Sequence, residues 1–196
     1  MATVSLDVLM PEVRTYLNDV PENLVLIYLQ RAAKQFCQDS GVWEVSMGTK
    51  DVTVPVDGDA EVEYSVPSTG DDTDFALPEE SYLSAISKVK LGEDYLEEYE
   101  FRYDLVTQKL VIAPRVITTN AVLEVFGTLE PTKAAQSLPA FLVERWSEGI
   151  VDYAIHEMMN MPERTWSAPY LADDYWKKYV SRVSEASVAK AREGTK

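Results

Sequence analysis

The sequence predicts an α+β protein: a four-helix bundle-like domain over residues 1–196, with an antiparallel β insertion between helices 2 and 3 and an extended C-terminal helix or tail. Three observations carry this. Apolar residues recur at helical spacing over residues 5–39 and again over 137–183. Between them, over 42–130, apolar and polar residues alternate as in strands. The last stretch, 184–196, is small and charged, with good helix formers and little to bury. Helices bracketing a β unit make one α+β domain, and a chain of this length buries a core without disulfides or metal.

In the first helix Leu6, Leu9, Met10, Val13 and Leu17 line one face, and Pro11 marks a start or a kink. Asp19 is the expected cap of helix 2, with Glu22 completing a capping box and Pro21 in the first turn. Val25, Leu29, Ala32 and Phe36 share a face of that helix, Tyr28 lies beside them, and Gly41 ends it. Val52, Val54 and Val56 alternate, as do Val62, Tyr64 and Val66, and Asp57-Gly58-Asp59 between them predicts a hairpin. Residues 67–78 read as a polar loop, followed by strands near 82–91, 98–104, 108–113 and 121–129. Ser137 and Ser167 are the expected caps of helices 3 and 4, each with a proline in the first turn, and Met161-Pro162 separates the two. Leu142, Trp146, Ile150 and Tyr153 mark an inner face of helix 3, and Leu171, Tyr175, Tyr179 and Val183 one of helix 4.

The formal net charge of −15 argues against a protein that grips nucleic acid, because phosphate binding needs clustered Lys and Arg. One cysteine, Cys37, gives no internal disulfide. The N-terminal segment has no basic stretch followed by an apolar run, and no stretch is apolar for about 18 residues. A soluble protein made in the cytoplasm, with no signal peptide and no membrane partner, is therefore expected.

Chemistry-bearing motifs are sparse. His156 is the lone histidine, and the chain holds no phosphate loop, dinucleotide fingerprint or nucleophile elbow. A Cys37/His156 nucleophile pair is conceivable, but Cys37 beside Phe36 reads better as a buried structural thiol. The acidic runs at Asp71-Asp72-Thr73-Asp74 and Glu93-Asp94-Tyr95-Leu96-Glu97-Glu98 lack calcium-loop spacing and read as solvated faces. No catalytic residue, metal site or cofactor is expected. Trp and Tyr are plentiful, and both are enriched where proteins meet. Trp166, Tyr170 and Trp176 are the candidate inter-subunit residues, whose plain alternative is ordinary core packing.

Two stretches carry a resemblance. Val20-Pro21-Glu22-Asn23-Leu24-Val25 through Arg31-Ala32-Ala33-Lys34-Gln35-Phe36-Cys37-Gln38-Asp39-Ser40-Gly41-Val42-Trp43 resembles the adaptor (connector) proteins that join head to tail in tailed bacteriophages. There a helix reading A-A-x-x-F-C is followed by a tryptophan that opens a strand. Thr165-Trp166-Ser167-Ala168-Pro169-Tyr170-Leu171-Ala172 is similar to the start of that family's final helix. The resemblance implies a non-enzymatic virion protein of the neck, assembled in the host cytoplasm. It implies a homo-oligomeric ring, usually of 12 copies, beneath the portal protein. Such a ring extends the DNA channel and offers a platform to a tail or nozzle protein, while DNA passes without specific binding. The C-terminal segment commonly docks on the portal, which carries over to Ser184, Val188, Ala189, Lys190 and Arg192. Asp71, Asp72, Asp74 and Phe75 are candidates for a tail-facing or lumen-facing loop, with a plain exposed connection as the alternative. Part of the acidic excess is expected to line the channel, where it keeps DNA from sticking. Competing readings are another head-closure or tail-completion protein, a carboxylate-dependent hydrolase, and a generic cytosolic binding domain.

Overall fold

A computed structural model describes residues 2–54, 61–66, 75, 77–113, 116–117 and 119–193. The chain divides into two compact units: residues 1–43 with 130–196, and residues 44–129. Four helices and nine strands are seen among the described residues, with the strands in three antiparallel sheets.

The first unit is helical. Strand β1 (Thr3–Ser5) leads into a 3-10 turn at Leu6–Leu9 and helix α1 (Met10–Tyr16). Helix α2 spans Glu22–Ser40, α3 Ala140–Met159 and α4 Pro169–Glu193. A short strand β9 (Ser137–Pro139) pairs antiparallel with β1, Val4 opposite Leu138. The core is apolar: Leu6, Leu9, Val13, Leu17, Val25, Leu29, Phe36, Ile150, Ala154 and Met158 are all buried. The helical spacing of the sequence therefore reports the right inward residues on both the first segment and α2. Gly41 closes α2 in the left-handed conformation, its N–H donating to the Cys37 carbonyl at 2.9 Å.

The bundle-like reading is corrected. Helix α1 has only seven residues, about 10 Å at 1.5 Å per residue, against about 37 Å for the 25 residues of α4. With nine strands in three antiparallel sheets among the described residues, the chain is β-rich rather than a four-helix bundle carrying an insertion. The residues read as the first half of helix 1 form a 3-10 turn, capped by the Ser5 hydroxyl, which accepts from Asp7 N–H at 3.3 Å. Pro11 sits in the first turn of α1, where its missing N–H costs nothing. Two expected caps are also corrected. Asp19 takes a positive φ of 63° in the turn, and Pro21 itself occupies the position before α2 without a side-chain cap. Ser137 belongs to β9, and Pro139 precedes α3. The Ser167 hydroxyl turns back to donate to the Met159 carbonyl at 3.4 Å.

The second unit is built of strands. β2 (Glu44–Val52), β8 (Ala121–Pro131), β4 (Ser81–Leu91) and β5 (Asp94–Tyr95) lie side by side in that order. β3 (Val62–Ser65), β7 (Lys109–Ile112) and β6 (Phe101–Asp104) make a three-stranded sheet. The expected hairpin joining 52–56 to 62–66 is overturned. β2 pairs with β8, Val52 opposite Ala121, and β3 pairs with β7, Tyr64 opposite Leu110. The turn residues Asp57, Gly58 and Asp59 lie outside the described residues. β2 carries a bulge between Ser46 and Thr49, where Gly48 adopts φ 118°, a value that favours glycine.

Candidate interaction site

Helix α4 lies with one line of residues locked into the helical unit. Ala172, Tyr179 and Ala186 recur every seven residues and are buried. Tyr179 stacks edge-on against Phe36, and its hydroxyl donates to the Asp39 carboxylate on α2. Burial, the largest cause, and that bond to Asp39 push the Tyr179 phenol well above the usual range. The Ser187 hydroxyl lies 3.0 Å from the Val183 carbonyl and 3.3 Å from that of Ser40, so this part of α4 sits beside the end of α2.

The opposite side of α4 faces outward. Tyr170 is 78% exposed and Val188 50% exposed, at opposite ends of the helix, eighteen residues apart and so on the same side. Val180 is exposed on the flank. Trp176 is partly exposed and stacks on His156, ring centres 5.2 Å apart, and on Tyr179 at 5.4 Å. His156 Nδ1 lies 2.9 Å from the Ala172 carbonyl, which fixes the ring beneath Trp176. Trp166 lies partly buried against the helical core, with the Arg164 guanidinium 5.9 Å from its ring centre. Of the three aromatics singled out in the sequence, Tyr170 and Trp176 thus offer accessible rings, and Trp166 packs inward.

The C-terminal candidates all lie on α4. Ser184, Val188 and Arg192 are exposed, and Ala189 and Lys190 are half-buried. The tail expected to bury little contributes Ala186 to the core. Phe75 is buried, its ring 6.3 Å from that of Tyr64. Asp71, Asp72 and Asp74 lie outside the described residues.

Cys37 and His156 each have structural surroundings of their own. The Cys37 thiol is fully buried, and burial foremost, then the Glu130 carboxylate, push it far above its ordinary range, so it stays protonated. Among the described residues no group of three or more His, Cys, Asp and Glu is placed to hold a metal ion. No described helix is long and apolar enough to cross a membrane.

Two grooves in the helical unit were not foreseen. One, of about 710 Å³, is bounded by α1, α3 and α4 and lined by Glu12, Tyr16, Glu148, Asp152, Lys178 and Arg182. Arg182 pairs with Glu148 and donates to Glu185 at 3.0 Å. Burial is the main cause that raises the Asp152 carboxyl to about 6, with Lys178 and Arg182 pulling the other way. The other groove, of about 450 Å³, lies between α2 and α3 and is lined by Ile27, Arg31, Lys34, Lys133, Tyr153 and Glu157 among others. The spacing of Ile27, Arg31, Lys34 and Gln38 gives a visible signal that they share an outer helix face. Lys133 comes from a distant segment, which no local pattern predicts.

No protein-family model matches the chain, and no curated protein is similar to it.

Proposed function

We propose that the chain is a structural subunit of the head-to-tail adaptor class. It acts by fitting copies of itself into a ring beneath a phage portal, extending the DNA channel and presenting a platform to the tail. The observation that carries this reading is α4: a 25-residue helix pinned along one side, with Tyr170, Trp176, Val180 and Val188 exposed at separate points along its length. A pinned helix presents its aromatics at low entropic cost, which is what an interface anchor needs. Tyr170 and Trp176 serve as inter-subunit anchors, and the end of α4 around Val188 and Arg192 meets the portal. The sequence resemblance at 20–43 and 165–172 supports the same class. The formal charge of −15 suits a channel that DNA crosses without being held.

The test is to mix the chain with the portal protein encoded in the same genome and to image the particles by negative-stain microscopy. Added ring density on one face of the portal is expected. Lone molecules that ignore the portal under all conditions would overturn the reading.

A further inference from the structure

The α2/α3 groove carries more cations than carboxylates on an acidic protein: Arg31, Lys34 and Lys133 line it together with Glu157. Arg31 and Lys133 are exposed at its rim, and Arg31 lies over the Tyr28 ring at 5.1 Å. Lys34 holds Glu130 at 2.8 Å, so the outward positive charge, set against the one lining carboxylate Glu157, comes from Arg31 and Lys133. Gln30 and Gln35 are held in place by their own bonds: each side-chain amide donates, to the Ala135 carbonyl at 3.0 Å and to Asp39 at 2.8 Å. Ile27, which is exposed, and Tyr153 give the groove an apolar part. A volume of about 450 Å³ takes a few side chains. Carboxylates flanking an aromatic ring fit this combination: guanidinium and ammonium groups for the charges, and an apolar wall for the ring.

The chain itself carries that motif. In the β unit, the segment Glu93–Tyr99 follows the turn after β4 and holds four carboxylates, Glu93, Asp94, Glu97 and Glu98. All four are exposed, and between and after them stand Tyr95, 59% exposed, and Tyr99, 71% exposed. Nucleic acid is a poor occupant, because two rim cations on a chain of charge −15 do not offset its repulsion.

We infer that the α2/α3 groove of one copy receives the Glu93–Tyr99 segment of the next copy. This rests on the ring-subunit reading and names the partner surface. Groove and segment are different surfaces of the chain, and we take the contact to repeat in one direction from copy to copy, head-to-tail. Such a contact propagates from copy to copy and closes if the rotation between copies allows.

Two charge-reversed chains test it: Arg31→Glu with Lys133→Glu, and Glu97→Lys with Glu98→Lys. All four positions are exposed, and circular dichroism checks that each chain folds. Sedimentation velocity, alone and with portal, should show self-association weakened about tenfold or more for either variant, since each reversal turns attraction into repulsion. An equimolar mixture of the two should associate again, because each reversed groove then faces a reversed segment. Independently, a chain carrying Lys133→Cys and Glu97→Cys should give a ladder of disulfide-linked multimers on a non-reducing gel. The buried Cys37 does not compete. Wild-type rings on the portal that ignore both reversals, with only monomers on the oxidised gel, would sink this contact and leave the ring reading standing. Failure of the wild type to gather on the portal or on itself would remove both.

Discussion

At Gly149 the α2–α3 packing depends on the absence of a side chain. A Cβ there would lie 2.7 Å from Phe36 Cε2 and 3.1 Å from Arg182 Cβ, both on neighbouring helices. Phe36 is fully buried and touches Trp146 and Tyr179, so it has nowhere to retreat. Gly149→Ala should therefore lower stability by about 1–3 kcal/mol despite alanine's better helix propensity, as a urea midpoint would show. A stabilised variant would mean that the helices move apart freely. Asp152 makes a different prediction. Its carboxyl is raised to about 6 from an ordinary 3.8, so the folded chain binds this proton more tightly than the unfolded chain does. Its contribution to stability is thus largest below 3.8, declines as pH rises from there to about 6, and stays lost above. Asp152→Asn should flatten that part of the profile and leave the protein more stable than its parent at pH 7, by urea midpoints between pH 4 and 7. Equal slopes for parent and variant would refute it. Single residues were unevenly legible. Gly41 was readable because left-handed backbone favours glycine. The caps at Asp19 and Ser137 were not, because proline can hold the position before a helix through its own fixed φ. The Asp152 environment needs three helices to be placed first.

Among the elements, α4 combines a buried line of residues with the proposed docking end. The small, charged sequence beyond Val183 predicts a tail with little to bury, yet Ala186 is fully buried and the Ser187 hydroxyl is within hydrogen-bonding distance of the Ser40 carbonyl. Truncation after Val183 should cost about 2 kcal/mol, from one buried methyl and one hydrogen bond plus the shortened helix. Lost portal binding by that truncated chain would therefore mix unfolding with docking. Val188→Asp separates them, since Val188 points outward. It should leave the urea midpoint within about 0.5 kcal/mol of the parent and weaken capture on immobilised portal. Undiminished capture would move the docking surface elsewhere on the chain. The positions of most strands are legible, from period-2 alternation as in Phe101 to Tyr103 or from a continuous apolar run as in Leu110 to Ile112. Their pairing is not. A turn signal at 57–59 predicts a local partner, whereas β2 runs beside β8, whose sequence lies some seventy residues on. Local signals report which residues turn, and long-range pairing is decided by which apolar faces find each other. The first segment failed for a related reason: Leu6, Leu9 and Val13 keep their inward spacing whether the backbone is 3-10 or α.

For the whole molecule, charge sets opposing demands on assembly. Each copy carries −15, so copies repel at distances where no specific contact exists. The proposed groove contact runs the other way, pairing Arg31 and Lys133 with the 93–99 carboxylates at close range. The two respond differently to salt because screening acts on distance. The Debye length is about 30 Å at 0.01 M, about 8 Å at 0.15 M and about 3 Å at 1 M. At the lowest of these, whole-body repulsion reaches across a subunit and should hold copies apart. At intermediate salt that repulsion is cut off, while contacts within hydrogen-bonding distance persist. At the highest, the contacts between exposed charges are themselves screened and only the proposed apolar anchors Tyr170 and Trp176 remain. Self-association should therefore pass through a maximum near physiological ionic strength. The groove-reversed chain, lacking the close attraction, should instead associate weakly at low salt and gain steadily as salt rises. Sedimentation velocity of both chains at 0.01, 0.15 and 1 M sodium chloride reads this directly. A wild-type association that rises monotonically with salt would mean that apolar burial alone joins the copies and that the cationic groove has no part in it.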